Sequence, residues 1–512
     1  MDGKKSMNKK INYEAEFCGK VPLNQTNMIQ PHGVLLIVDS ASFKIIQLSE
    51  NAGEIFGNDF KEVISKSLFD FLDKSQAEKF KERFQSKPVG KLPYILSFAT
   101  GDYLASVETS DQLLIIEIEK EKRSDTNTDS FLNIYQELKY AMTAVEAANT
   151  TEEACEVAVK ELKRISGFDK IMIYQFDPEW NGDVIAEVKE EGMDSYFGLK
   201  FPASDVPKQA RDLYKKTPYR LIPNVEYVPV RLYPVINPST NAFTDLSSSN
   251  LRSVAGVHLE YLKNMGVTAS MSTRILVDGQ LWGLIACHHR TAKYLSFEMC
   301  AVFELLSNVI SAKISAVQKQ DVFTYRSSMQ SLYAELLEDI YREENLHGSF
   351  EKKKNELLKL LSADGIALID NHQVFLVGNT PDDTDVAEIV LWLQSQTANK
   401  IYHNSHLSSL FEPAEKYSKI ASGILVLPIQ PEKGSYIVAF RPEALQKVNW
   451  GGNPNEAVQF EADGKKYHPR NSFNQWQQTV KQTSIPWKAE EIEVAENFRN
   501  FVVEYTLNKI YN

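Results

Sequence analysis

ASMSTRILVDGQLWGLIACHH, residues 269–289, consists of two apolar, β-rich runs on either side of Asp278-Gly279, a dipeptide that strongly favours the tight turn of a β-hairpin. The layout returns at 423–443, GILVLPIQPEKGSYIVAFRPE, again with a turn between apolar runs. The echo suggests that two domains share a design, although a hairpin alone is slender evidence for a repeat. Upstream, GVLLIVDSASFKIIQLSENAGEIFG (33–57) reads as strand, turn, strand and helix, with Asp39, Ser40 and Ser42 breaking the two apolar runs. It opens a smaller α/β domain, which ends at the polar stretch EKEKRSDTNTDS (119–130). A helical region over about 131–166, apolar at Leu132, Tyr135, Leu138, Met142 and Val145, then leads into the strand IMIYQFD (171–177). The expected fold class is α+β: three consecutive domains, each an antiparallel sheet flanked by helices, joined by long helices.

Residues 296–345 contain almost no helix breaker, and apolar positions recur at Leu305, Val309, Met329, Leu332, Leu336 and Ile340. Unbroken, this helix would reach about 70 Å at 1.5 Å per residue and serve as a spine and dimer face. Two shorter helices with a break near Asp321 fit the pattern equally well. The last segment, Glu490 to Asn512, carries Ile492, Ala495, Phe498, Val502 and Tyr505 on one stripe, as helices that dock on a partner or continue into another module do.

The 512 residues suffice for about three domains. A net charge of −12 disfavours broad binding to nucleic acid or to an anionic membrane. The basic start of the chain has no apolar stretch behind it, and no window gives about 18 uninterrupted apolar residues, so neither export nor a membrane span is expected. Cys18, Cys155, Cys287 and Cys300 are too few and too scattered for a disulfide framework or a Cys-x-x-Cys site, which suits a reducing cytoplasm.

The densest cluster of chemistry is FPASDVP (201–207), followed by Tyr214, Arg220, Arg252, His258, Tyr261, Ser270, Ser272 and the pair His288-His289. Pro202 and Pro207 bias the stretch between them away from helix and hold Asp205 on a stiff loop that can present a main-chain acceptor. Two arginines with serine hydroxyls on a nearby strand could clamp ligand carboxylates. Taken singly, Arg220 and Arg252 read more readily as solvated surface charges, and His258 as a hydrogen-bonded core histidine. Only one of His288 and His289 can face inward on a strand. The chain has no zinc spacing, Walker loop, GxSxG elbow or dinucleotide fingerprint, so no enzyme motif is found.

These residues, with Cys18 upstream of IQPHG (29–33), FPASDVP, LRSVAGVHLEYLKNMG (251–266), LWGLIACHH (281–289), FRPE (440–443), WGG (450–452) and HPRNSF (468–473), resemble the photosensory core of a bacterial phytochrome over nearly the whole chain. The resemblance implies an N-terminal extension over 1–18, a PAS domain over 19–125, a chromophore-binding GAF domain over 126–318 and a PHY domain over 319–512, with a hairpin "tongue" at about 448–485. It implies a red/far-red photoreceptor with biliverdin IXα joined by a thioether to Cys18, thiolate being the nucleophile. Val257 stands where other phytochromes carry their bilin-attaching cysteine, which selects biliverdin over phycocyanobilin. Cys155, Cys287 and Cys300 look structural.

The resemblance also assigns roles around the pigment. The Asp205 carbonyl would accept from the pyrrole N–H groups, and His258 would hold a water beneath the rings. Arg220 and Arg252, with Tyr214, Ser270 and Ser272, would hold the propionates, and His288 the D-ring carbonyl. Tyr174, Tyr196, Phe201 and Tyr261 would wall the D ring. Arg470, on a tongue that also carries Trp450, would pair with Asp205 at rest, with Ser472 as the replacement partner after illumination.

Further implications are a figure-of-eight knot through a GAF loop, a homodimer through the long helices, and an output such as a histidine kinase or a response regulator outside this chain. The chain itself would not be an enzyme, would sit in the cytoplasm, and would touch neither nucleic acid nor membrane. The alternative is a light-independent GAF regulator binding another small ligand, which would need neither Cys18 nor the Asp205 and His258 pair.

Overall fold

The computed structural model describes residues 23–86, 88–122, 128–342, 346–370, 373–396, 400–454, 458–460 and 467–511; Cys18 and the extension around it lie outside them. The chain forms two compact units. The first holds the chain up to Val317 together with Asn449–Trp476, and the second holds Gln318–Val448 and Gln477–Asn512.

In the first unit the hairpin 269–289 forms as its sequence indicates, with strands Ala269–Val277 and Gln280–His289 joined through Asp278 and Gly279, both at positive φ. It sits in an antiparallel sheet ordered Tyr219–Ile222, Ala269–Val277, Gln280–His289, Lys170–Phe176, Gly182–Lys189 and Lys200–Phe201. The alternation of side chains divides the two faces. Ile171, Ile173, Met271, Ile275, Ile285 and Cys287 pack with helices into one core. Met172, Tyr174 and Leu284 point the other way, into an aromatic cluster with Tyr196, Phe201 and Phe473.

The helical region expected over 131–166 is two helices, Thr128–Ala147 and Thr151–Ser166. The break has a local cause: the Thr150 side chain accepts from the Glu153 amide at 3.1 Å, and the Glu153 carboxylate accepts from the Asn149 amide at 2.7 Å. The buried stripe is also displaced, because Leu132 and Tyr135 are exposed and Ile134, Leu138, Ala141 and Val145 meet the core.

A second sheet in this unit, built mainly from the first domain, has the order Met28–Ile29, Val230–Tyr233, Ile45–Ser49, Gly33–Asp39, Leu113–Lys122, Gly101–Ser110 and Lys91–Phe98. One of its strands and a buried side chain tie the domains together. Val230–Tyr233 comes from the later domain and pairs with both Met28–Ile29 and Ile45–Ser49. Gln30, fully buried, donates its side-chain amide to the Leu221 carbonyl at 2.9 Å and its backbone amide to that of Leu251 at 2.7 Å.

Phe297–Arg342 is one helix of 46 residues with no break at Asp321. Its first half buries Val302, Phe303, Leu306, Ile310 and Ile314 in the first unit, and its second half buries Met329, Leu336 and Ile340 in the second. An 18-residue window in it reaches a mean hydropathy of 1.5, enough by length and composition to cross a membrane, and 44% of that window is buried inside the protein.

The second unit's sheet runs Tyr402–Asn404, Gly423–Gln430, Ser435–Arg441, Gly365–Asp370, Gln373–Gly378. In chain order this is third, fourth, fifth, first, second, the order that the first five strands of the larger sheet also follow. The shared hairpin is therefore part of a shared topology. The closing helix, Ala489–Tyr511, buries Ala495, Phe498, Val502 and Tyr505 in this unit's own core, so the stripe read as a docking face is already occupied.

Candidate functional site

Asp205 lies in a short 3-10 turn, Ala203–Asp205, rather than an irregular loop; Pro202 caps it and Pro207 starts the next helix, Lys208–Lys216. The Asp205 carboxylate is almost fully buried. It accepts from the Tyr261 hydroxyl at 2.8 Å and from the Arg470 guanidinium. Burial raises the Asp205 carboxyl above the ordinary range, opposed by Arg470 and by the Tyr261 hydroxyl. Burial likewise disfavours the charged form of Arg470, but its pairing with Asp205 outweighs that and holds it cationic. The guanidinium lies between the rings of Phe201 and Phe473, 5.3 and 5.0 Å from their centroids.

Arg470 reaches this position on the excursion 449–476. The side-chain amide of Asn264 donates to the Arg470 carbonyl at 3.2 Å, and His468 Nδ1 stands 2.9 Å from Glu260. Trp450, half-buried, is in register with Lys200. Gly451 and Gly452 are needed there: a Cβ on Gly451 would fall 2.6 Å from the Phe201 ring, and one on Gly452, whose φ is +94°, would fall 2.4 Å from the Ser472 carbonyl. Ser472 is exposed and does not touch Asp205.

Beside the pair is a cavity of about 230 Å³, lined by Asp205, Tyr214, Arg220, Arg252, His258 and Tyr261 among others. The reading of the arginines as surface charges is overturned, because neither side chain is free in solvent. Arg220 donates to the carbonyls of Asn250 and Arg252, and Arg252 to those of Leu246 and Ser247. Among the described residues neither has a carboxylate within ion-pair distance. Burial lowers both, Arg252 to about 9 with Arg220 contributing. Two desolvated cations without a counter-ion make a site for an anionic ligand.

Strand register gathers further groups on the same sheet face. Arg220 pairs across from Ser272, whose hydroxyl is 2.6 Å from that of Tyr214, and Ser270 pairs across from His288. His288 is buried, whereas His289 turns outward to Asp169. Ser270, Ser272, His288, Tyr174, Tyr196 and Phe201 do not line the cavity itself. Buried polar atoms in this region with no partner among the described residues include the neutral groups His288 Nδ1, Tyr174 Oη and Ser204 Oγ, besides Nε and Nη1 of Arg470. Unopposed guanidinium groups together with unmatched neutral donors fit a bilin, which offers carboxylates, ring N–H groups and lactam carbonyls.

His258 stacks on Tyr261 with ring centroids 6.1 Å apart. Burial lowers its imidazole to about 4 and that of His288 to about 3, so both are neutral near pH 7. In the unfolded chain each binds its proton near 6.5. Between those values the unfolded state holds more protons, and stability falls as pH drops below about 6.5, by about 1.4 kcal/mol per pH unit for each histidine. Denaturant titrations of the apoprotein at pH 7.5 and 5 should show this loss, and replacing both histidines by glutamine should reduce it.

The cysteines expected to be structural are buried, and burial pushes the Cys155 thiol up to about 12 and those of Cys287 and Cys300 higher still. Sequence reasoning missed Gly182, whose lack of a side chain makes room for the Tyr174 ring, and Phe473, quoted within a motif but given no task. It also missed Lys170, which stands across from His288.

Family models match in series: the PAS fold over residues 18–121, the GAF domain over 150–314 and the phytochrome region over 329–510. Cyanobacterial phytochrome B of Nostoc sp. is 36% identical over 498 residues, covering 96% of this chain and 66% of that protein. A bacteriophytochrome of Xanthomonas campestris is 30% identical, covering 95% of this chain and 78% of that protein. The crystal structure of bacteriophytochrome RpBphP3 from R. palustris superposes with a TM-score of 0.84 at 32% identity, covering 96% of this chain and 99% of that one. The photosensory core module of the Stigmatella aurantiaca phytochrome gives 0.83 at 33% identity, covering 96% and 98%. The chain spans about two thirds of the length of the cyanobacterial relatives it matches.

Proposed function

The chain belongs to the phytochrome family, and from that premise we propose that it is a red/far-red light receptor that binds biliverdin through Cys18 and signals by releasing and refolding its tongue. The observation that carries this reading is that Arg252, buried, and Arg220, part-buried, line a cavity with Asp205 and Tyr261 and have no carboxylate within ion-pair distance among the described residues, with Arg470 held on Asp205. A bound bilin would supply the absorption of light and the double-bond isomerisation that follows.

The protein's own groups do the rest. Arg220 and Arg252 neutralise the ligand's carboxylates and orient it, while Tyr214 and Ser272 hold each other in place beside Arg220. His258, neutral and buried, can accept a hydrogen bond at one ring nitrogen and donate one at the other without adding charge to the pocket. The wall of Tyr174, Tyr196, Phe201 and Tyr261 allows a rotating ring few stable poses, which favours two discrete states. Tyr261 touches both the cavity and Asp205, so a shift of this ring disturbs the one carboxylate that holds Arg470. Ser472 is then the replacement partner, and the freed segment refolds toward helix.

By the same reading the chain acts as a homodimer through its long helices, works in the cytoplasm, performs no turnover, and passes its signal to a histidine kinase or another output module, or to a response regulator.

The test is an absorption spectrum of the protein assembled with biliverdin, taken before and after red illumination. A reversible red to far-red change is expected, with pigment that stays attached under denaturing conditions in the wild type and is lost in Cys18→Ser. Absence of bilin uptake, or uptake without photoconversion, would sink the light-sensing reading in favour of a light-independent small-ligand regulator.

A further inference from the structure

Lys170 opens the strand Lys170–Phe176 and is 2% exposed, an unusual position for a side chain that normally extends its ammonium to water or finds a carboxylate. Here it does neither. Its Nζ lies 3.7 Å from the centroid of the Tyr196 ring and has no hydrogen-bond acceptor or ion-pair partner among the described residues. The nearest acid on the sheet, Glu187, is committed elsewhere: its carboxylate accepts from the Ser195 hydroxyl at 2.5 Å and the Tyr196 amide at 2.9 Å. Asp194 is exposed, and Lys189, opposite Lys170 on the next strand, adds like charge.

The other neighbour is His288, directly across the sheet, itself buried and with an unmatched Nδ1. A desolvated ammonium and an imidazole therefore stand side by side at the aromatic end of the site, away from the arginine pair. Both lack a partner that a ligand's neutral oxygen could provide.

We propose that Lys170 is a further pigment-binding residue, donating beside His288 to a lactam carbonyl oxygen at the end of the bilin that the arginines do not hold. The inference rests on the photoreceptor reading above. A carbonyl suits this position better than a second carboxylate would, because Arg220 and Arg252 already supply two fixed cations for the acidic groups. Burial brings the free ammonium down to about 8, with Glu187 and Asp194 opposing the shift and Lys189 adding to it, so part of the population is neutral in mildly alkaline solution.

The experiment compares wild type, Lys170→Met and Lys170→Arg in the full chain assembled with biliverdin. Absorption is recorded from pH 6 to 10 in darkness and after illumination, and melting temperatures are taken with and without pigment. The wild-type spectrum in one of the two light states is expected to titrate near pH 8, and this step should vanish in Lys170→Met and move out of range in Lys170→Arg. Removing an unpaired buried cation should raise the apoprotein Tm of Lys170→Met by roughly 2–5 °C, and pigment should then add less than it adds to wild type. A Lys170→Met protein that titrates like wild type, or whose Tm falls equally in both forms, overturns the inference and leaves the receptor reading intact. A wild type that takes up no bilin overturns both.

Discussion

Arg470→Ala is expected to strip the excursion 449–476 from its seat on Asp205 while leaving pigment uptake intact. The pair is almost wholly buried, with the guanidinium also between two rings, so its removal subtracts an ion pair, a stacked cation and much of the packing around Phe201 and Phe473. Breaking one partner of a buried pair typically costs about 3–5 kcal/mol, because the survivor is left charged in a poor solvent. Asp205 has two ways to avoid that penalty: it can take up a proton, as burial already favours, or it can meet water once the segment above it lifts. Either outcome abolishes the hold on the segment, and neither requires the sheet to unfold.

The loss should therefore appear as faster amide hydrogen exchange over 449–476 and around Phe201, with a smaller change in the midpoint of global unfolding. In the pigmented protein the illuminated state should become short-lived or fail to accumulate. Unchanged exchange together with an unchanged photocycle would remove the excursion from the mechanism. Arg470→Lys should rescue partially, since an ammonium keeps the charge but loses the planar contact with both rings.

Gly182→Ala carries the second large expectation. A Cβ built on Gly182 would lie 1.7 Å from Cζ of Tyr174, inside the phenol ring, and the ring cannot yield toward Phe201 or Phe176, whose centroids are 6.1 and 5.3 Å away. One methyl group must therefore displace Tyr174 from the wall or push two paired strands apart. Overpacking of this kind typically costs about 1–3 kcal/mol. A shift of Tyr174 should also loosen the discrete poses available to a rotating ring, so the variant should bind pigment and photoconvert with reduced yield and raised fluorescence. Wild-type unfolding and wild-type yield in Gly182→Ala would mean that this glycine and the Tyr174 position are incidental.

Much of the fold is legible in local sequence because its determinants are local. Asp278-Gly279 dictates a turn, alternation in LWGLIACHH assigns His288 to one face and Cys287 to the other, and the recurrence at 423–443 marks a second sheet with the same strand order. The break at Asn149-Thr150 was also written locally, as a capping pair with Glu153, but was obscured by the apolar residues on both sides. Apolar periodicity could not say which stripe a helix buries when several are apolar, hence the misplacement at Leu132 and Tyr135 and the occupied face of the closing helix.

The site divides similarly. Asp205, the arginines and the histidines stand in dense motifs. Gly182 and Lys170 matter through what lies across a strand or above a ring, and no spacing in one chain displays that. That Arg220 and Arg252 are buried is a property of the residues around them, so composition pointed to the surface.

The two sheets follow one plan, and the plan includes a passage from the fifth strand into a long helix. In the first unit that passage is residues 290–296; in the second it is residues 442–488, and most of the added length is the arm carrying Arg470. Chain entropy grows only logarithmically with loop length, so a connection of this kind can be lengthened greatly at little cost to the sheet that bears it. The arm is thus a graft on a finished scaffold: its sequence is free to be tuned for how firmly it grips Asp205, without renegotiating the core that anchors its two ends.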